Sequence, residues 1–155
     1  MEAILKIAVG CDHAGFILKN TLLATLQRHG VEVIDMGTHS DNRVDYPDYA
    51  AKVSQAVVQG DAARGVLICG SGIGMSIAAN KFPGIRATLV NDLYSARFCR
   101  EHNDSNVLCL AGRLIGIDLA DAIISTWLTT TFEGGRHAER LSKIALFDGS
   151  AGRVR

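Results

Sequence analysis

Several clusters in this sequence carry side chains able to move protons or grip an anion. Cys69 ends the apolar run Val66-Leu67-Ile68, and Gly70-Ser71-Gly72-Ile73-Gly74 follows it directly. Glycines let backbone N–H groups approach a ligand closely. A helix starting just after them turns its positive end to the same point. Such a loop suits a phosphate or an oxyanion equally, and it favours the thiolate form of a cysteine beside it. Asp12-His13 pairs a carboxylate with an imidazole, a combination that holds sugar hydroxyls or a phosphate oxygen. His102-Asn103-Asp104 ends a helix-like stretch, where the helix C-terminus favours a protonated, proton-donating histidine. Arg136 and Arg140 stand four residues apart, so a helix puts both guanidinium groups on one face as a phosphate clamp, with Arg113 a third candidate.

Each cluster also has a purely structural use. Cys69 could end a strand above a tight turn. Asp12 is a good N-cap for the next helix, and Asn103 a left-handed stop. The two arginines could pair with Glu133 and Glu139 on a solvated helix. Known phosphate loops fit poorly. A Walker loop needs GxxxxGK[ST], and neither the lysine nor the hydroxyl is in place. Gly70 to Gly74 gives GxGxG, one residue short of the dinucleotide fingerprint, and it follows the third strand-like run, not the first. Ser71 has glycine immediately on both sides, unlike a nucleophile elbow. Met75 stands where a cysteine phosphatase loop would carry its arginine.

These residues fall at the ends of short β-branched runs that alternate with helical stretches. Strands are expected at "ILKIAVG", "VEVIDMG", "GVLICG", "IRATLV" and "NVLCLAG". Helices are expected between them, at "FILKNTLLATLQRHG", from about Tyr49 to Gln59, at "IGMSIAANK", "LYSARFCREHN" and "IDLADAIISTWLTT", with "GGRHAERLSKIALF" as a C-terminal helix. The alternation predicts a three-layer α/β/α Rossmann-like (flavodoxin-like) domain with a five-stranded parallel sheet. Residues 1–147 read as one domain and residues 148–155 as a flexible tail. Ligands in such folds sit beyond the carboxyl ends of the strands.

Composition narrows the classes. Sixteen basic residues balance sixteen acidic ones, which argues against a nucleic-acid or membrane surface built on bulk charge. No apolar run approaches a membrane span. The four cysteines form no CxxC pair and no zinc spacing, so free thiols, no metal and a cytoplasmic location are expected.

The motifs "GCDHAGF", "DYPDYA", "ICGSGIGMSIAANK", "GIRA", "EHNDSNVL" and "EGGRH" occur in the order and spacing that resemble the type B ribose-5-phosphate isomerase family, which also includes galactose-6-phosphate isomerase subunits. The resemblance runs from about Ile7 to Arg140. It implies interconversion of ribose 5-phosphate and ribulose 5-phosphate, a pentose phosphate pathway step, with no cofactor. Carried over, Cys69 resembles the base, and Ser71 with the Gly70, Gly72, Ile73 and Gly74 loop resembles the site for the enediolate oxygen. His102 resembles the acid that opens the sugar ring, with Asn103, Asp12 and His13 as substrate ligands. Arg113, Arg136 and Arg140 resemble the phosphate-binding arginines. The family places this site between two subunits of a homodimer, sometimes a dimer of dimers, with His102 and the C-terminal arginines coming from the partner. Two positions depart from the family pattern. Ser71 stands where many members have threonine. Met75 stands where one branch has a glutamate base, which leaves the role to Cys69. Hexose 6-phosphates of allose or galactose are the alternative substrates, and a non-catalytic sugar-phosphate-binding module the alternative class. Asp45-Tyr46-Pro47 could line a site by its loop position or simply start a helix, and the resemblance leaves the roles of Asp45 and Tyr46 open.

Overall fold

Among residues 3–149, which the computed structural model describes, eleven elements follow one another. They are β1 (Lys6–Cys11), α1 (Phe16–Arg28), β2 (Glu32–Asp35), α2 (Tyr46–Gln59), β3 (Arg64–Cys69), α3 (Ile73–Ala79), β4 (Ala87–Leu89), α4 (Leu93–Glu101), β5 (Val107–Ala111), α5 (Ile117–Thr129) and α6 (Arg136–Ala145). Helix α2 starts three residues before the expected Tyr49. Pro47 sits in its first turn, where a missing N–H is harmless and the fixed φ is already helical. Strand β4 is shorter than "IRATLV" because it pairs on one side only, with β5. Asp148 is tied down, its Oδ2 accepting the Gly84 N–H at 2.9 Å. The rest of the expected tail, from residue 150, lies outside the described residues.

All strand pairs are parallel, in the order β2-β1-β3-β5-β4. The three-layer expectation holds, but the last two strands are exchanged relative to the flavodoxin order, leaving β4 at the edge. The chain winds from β1 outward to β2, then returns to place β3 on the other side of β1. The β1/β3 boundary is therefore a switch point, where crossovers leave in opposite directions and a crevice opens. Cys11 is level with Ile68, so the carboxyl ends of the two strands meet there.

Alternation along the strands builds two cores. Ile7, Val9, Val66, Ile68, Leu108 and Leu110 face α1, α4 and α5, around the fully buried Trp127. Burying both faces explains why the strands read as continuous apolar runs. Truncating Trp127 to alanine would cost about 3–5 kcal/mol. Leu67, Cys69, Val107 and Cys109 face α2 and α3. Period two thus points Cys69 to the α2/α3 side, and the strand's end brings it to the crevice.

Candidate active site

A cleft of about 490 Å³ opens at the switch point, bounded by Asp12, His13, Cys69, Gly70, Ser71, Gly74, Tyr46 and Arg113. The Gly72 N–H donates to Cys69 Sγ at 3.1 Å, and the Ile73 N–H donates to Ser71 Oγ at 3.2 Å. The loop thus turns one backbone donor onto the sulfur itself. Gly72 has φ of +74°, and a Cβ there would lie 2.5 Å from Leu89 Cδ1. Gly74 lies under the Tyr46 ring, 2.6 Å from Tyr46 Cζ to where its Cβ would be. These two glycines are fixed by packing as well as by turn geometry.

The other thiols face no cleft. Burial pushes Cys11 up to about 11 and raises Cys99 and Cys109 as well, which keeps them neutral. Asp12 Oδ1 accepts the N–H groups of Ala14 at 2.9 Å and Gly15 at 3.1 Å. Asp12 therefore caps the turn before α1 and not the helix, whose N-cap is Gly15. His13 Nδ1 accepts the Val44 N–H at 3.3 Å. With Nδ1 accepting, Nε2 is left as the ring's N–H donor.

A buried lysine stiffens this edge. Lys19 is fully buried, and its Nζ donates to Asp35 Oδ1 and to the Thr38 carbonyl, both at 2.7 Å. Asp35 also accepts the Gly37 N–H at 3.0 Å. Burial would raise the Asp35 pKa, but the Lys19 and Gly37 hydrogen bonds lower it on balance. The clamp holds Gly37-Thr38 against Cys11, whose N–H donates to the Gly37 carbonyl at 2.7 Å.

His102, Asn103, Arg136 and Arg140 lie elsewhere. Helix α4 runs back along the sheet, so His102 arrives where β3, β4 and β5 begin. There the Gly65 N–H donates to the Asn106 carbonyl at 2.8 Å, while Cys69 is four steps further up β3, roughly 13 Å of strand. The His102 ring stands between Phe98, 4.8 Å away, and His137, stacked at 4.1 Å. The Glu133 N–H donates to the Glu101 carbonyl at 3.0 Å, which docks the start of α6 beside α4. Arg136 and Arg140 are exposed and make no ion pair among the described residues, contrary to pairing with Glu133 or Glu139. Glu133 instead approaches His137 Nε2 at 3.4 Å. Burial lowers the His137 pKa, and the His102 ring and Arg136 lower it further. The left-handed residue ending α4 is Asp104, at φ +45°, and not Asn103.

Donor atoms of His102, Glu133 and His137 lie within 4.8 Å of one another. The two rings stack only 12° from parallel, so their in-plane lone pairs run side by side and do not converge on a common ion. Tyr46, read from its loop position as either a site lining or a helix start, does both: it lines the cleft and begins α2. Arg43, in the polar loop, went unnoticed and borders an adjoining hollow of about 400 Å³ with Asp12 and His13. A loop position before a helix was the only signal for either.

A cleft at the switch point of a parallel α/β sheet, lined by a thiol, a carboxylate, an imidazole and an arginine, has the form of a small-molecule enzyme site. A family model described as Ribose/Galactose Isomerase matches residues 7–144, and the chain belongs to that family. It is 52% identical over 143 residues to ribose-5-phosphate isomerase B of Escherichia coli, covering 92% of this chain and 96% of that protein. It is 43% identical to a D-erythrulose-4-phosphate isomerase of Pectobacterium atrosepticum, covering 94% and 96% of the two chains. The solved structure of Clostridium thermocellum ribose-5-phosphate isomerase B superposes with a TM-score of 0.92 at 51% identity, over 94% of this chain and 99% of that one. Among the described residues no helix is long and apolar enough to cross a membrane.

Proposed function

We propose that this protein interconverts ribose 5-phosphate and ribulose 5-phosphate through an enediolate, with Cys69 as base. The observation that carries the reading is Cys69: of four thiols it alone lines the cleft, and it receives the Gly72 N–H. Ring opening comes first. The C1 hydroxyl passes its proton to solvent water, the bond from C1 to the ring oxygen breaks, and His102 protonates that oxygen. The Cys69 thiolate then takes the proton from C2, and the electron pair becomes the C1–C2 double bond of an enediolate. Ser71 and the loop's backbone donors hold the developing oxyanion. The Cys69 thiol returns the proton to C1 while the hydroxyl proton moves from O2 to O1, giving the ketose. Asp12 and Asn103 bind sugar hydroxyls. His13, Arg113, Arg136 and Arg140 hold the phosphate, which supplies remote binding energy that orients C1 and C2. Cys69 carries the proton between C2 and C1 and His102 supplies the one on the ring oxygen, so the scheme uses no metal and no cofactor.

The separation of Cys69 from His102 along β3 supports a homodimer in which His102, Arg136 and Arg140 of one copy complete the cleft of the other. A hexose 6-phosphate is the second reading, because the family description covers galactose as well as ribose. Parallel turnover assays on ribose 5-phosphate and on allose and galactose 6-phosphates decide between them. A kcat/KM highest for ribose 5-phosphate is expected, and a hexose phosphate preferred tenfold would overturn the pentose assignment.

A further inference from the structure

The segment Gly84-Ile85-Arg86-Ala87 has no part in the reaction above, yet it grips the loop that presents His102. Arg86 Nε donates to the carbonyls of Asn103 and Asp104, each at 3.1 Å. Its Nη2 donates to the Asp104 carbonyl at 2.9 Å and to Asp104 Oδ2 at 3.3 Å. The grip is mutual: Asn106 Oδ1 accepts the Arg86 N–H at 2.7 Å, and Asn106 Nδ2 donates to the Gly84 carbonyl at 2.8 Å. From α4, the buried Arg100 adds Nη1 bonds to Asp104 Oδ1 at 2.8 Å and to the Ser105 carbonyl at 2.6 Å. Two guanidinium groups thus bracket Asp104, whose left-handed backbone a non-glycine residue keeps only where its surroundings hold it.

We infer that Arg86 is a positioning residue for His102. It fixes the carbonyls one and two residues after the histidine, and so sets where the ring-opening imidazole stands. The planar fork spans two successive carbonyls and a carboxylate, which a lysine ammonium cannot reproduce. Burial in this segment falls to Ile85, 6% exposed, while the Arg86 side chain is 32% exposed. The arginine is therefore separable from the core. The inference rests on the reading that His102 opens the ring.

Two assays separate that step from the proton transfer. Conversion of ribose 5-phosphate needs ring opening. Deuterium exchange from solvent into C1 of ribulose 5-phosphate does not, because that ketose has its O5 phosphorylated and cannot close a furanose. In the full-length protein, Arg86→Gln should lower conversion by about 10- to 100-fold and leave exchange within about twofold. Arg86→Lys should show the same split at smaller size. His102→Asn is the reference. If it loses both activities alike, the reading of His102 fails whatever Arg86 does. If His102→Asn splits the assays but Arg86→Gln keeps full conversion, or loses both alike, the positioning role is overturned. Should Arg86→Gln show no cooperative melting, Arg86→Lys decides by the same split: full conversion, or equal loss in both assays, overturns the role.

Discussion

The two edges of the sheet are built differently. The carboxyl edge holds Cys69, Asp12 and His13 in a cleft, and backbone bonds and the Lys19–Asp35 clamp set its groups. The amino edge holds His102 at a helix end, with the exposed Arg136 and Arg140 beside it and a bracket of Arg86 and Arg100 behind it. In the proposed scheme one edge supplies the base, while the acid assigned to the ring oxygen, His102, stands at the other. That edge also carries the exposed Arg136 and Arg140, and neither they nor His102 line any of the hollows described among these residues. The difference fits the proposed homodimer, in which a two-fold pair of copies would bring two half-sites together, the amino edge of one chain at the carboxyl-edge cleft of the other.

Variants on each side test this division. The largest effect is expected for Cys69→Ala: conversion of ribose 5-phosphate should fall about 10³-fold or more, with calorimetric binding of the sugar phosphate kept within a few-fold. Full activity in that variant would remove the base from the carboxyl edge. Next, Arg136→Ala should raise KM about tenfold with kcat little changed, as expected for one lost charge-assisted phosphate contact. An unchanged KM would move the phosphate away from the amino edge. Smallest in kinetic terms is Lys19→Met. It strips the Asp35 carboxylate of its cation and should cost about 3 kcal/mol of stability, read as a lower melting temperature. The folded pKa of Asp35 is depressed, so the clamp's contribution is fully present above about pH 4 and is lost as pH falls through the lowered value. The melting difference between Lys19→Met and the parent should therefore shrink in acid. A constant difference would mean that the lysine acts by packing alone.

The sheet was legible because its strands are short, β-branched and punctuated by glycine, and the switch-point residues followed from their place at strand ends. Helix α2 begins three residues before the expected Tyr49, at the Asp45-Tyr46-Pro47 start that the sequence also offered, because a first helical turn accepts Pro47. The β4/β5 exchange left no local signal, since strand order is decided by packing across the sheet. Asp12, His13, Cys69, Ser71 and Arg113, singled out by type and place at strand ends, share one cleft. Tyr46 was offered only by its loop position, because its packing over Gly74 is a contact made across 28 residues of sequence. The left-handed residue fell on Asp104 and not Asn103 because two arginines from separate elements hold it there, which no local pattern encodes.

The central claim is that the two half-sites meet only between copies. Mixing Cys69→Ala with His102→Asn, after mild dissociation and reassociation, tests it most directly. Each variant alone should be nearly inactive on ribose 5-phosphate. In a shared-site dimer, half the population at equal mixing carries one intact site of two, so about a quarter of the parent's activity should return. If the mixture stays as inactive as its components while subunit exchange is demonstrated, both residues work within one chain's site and the account is wrong.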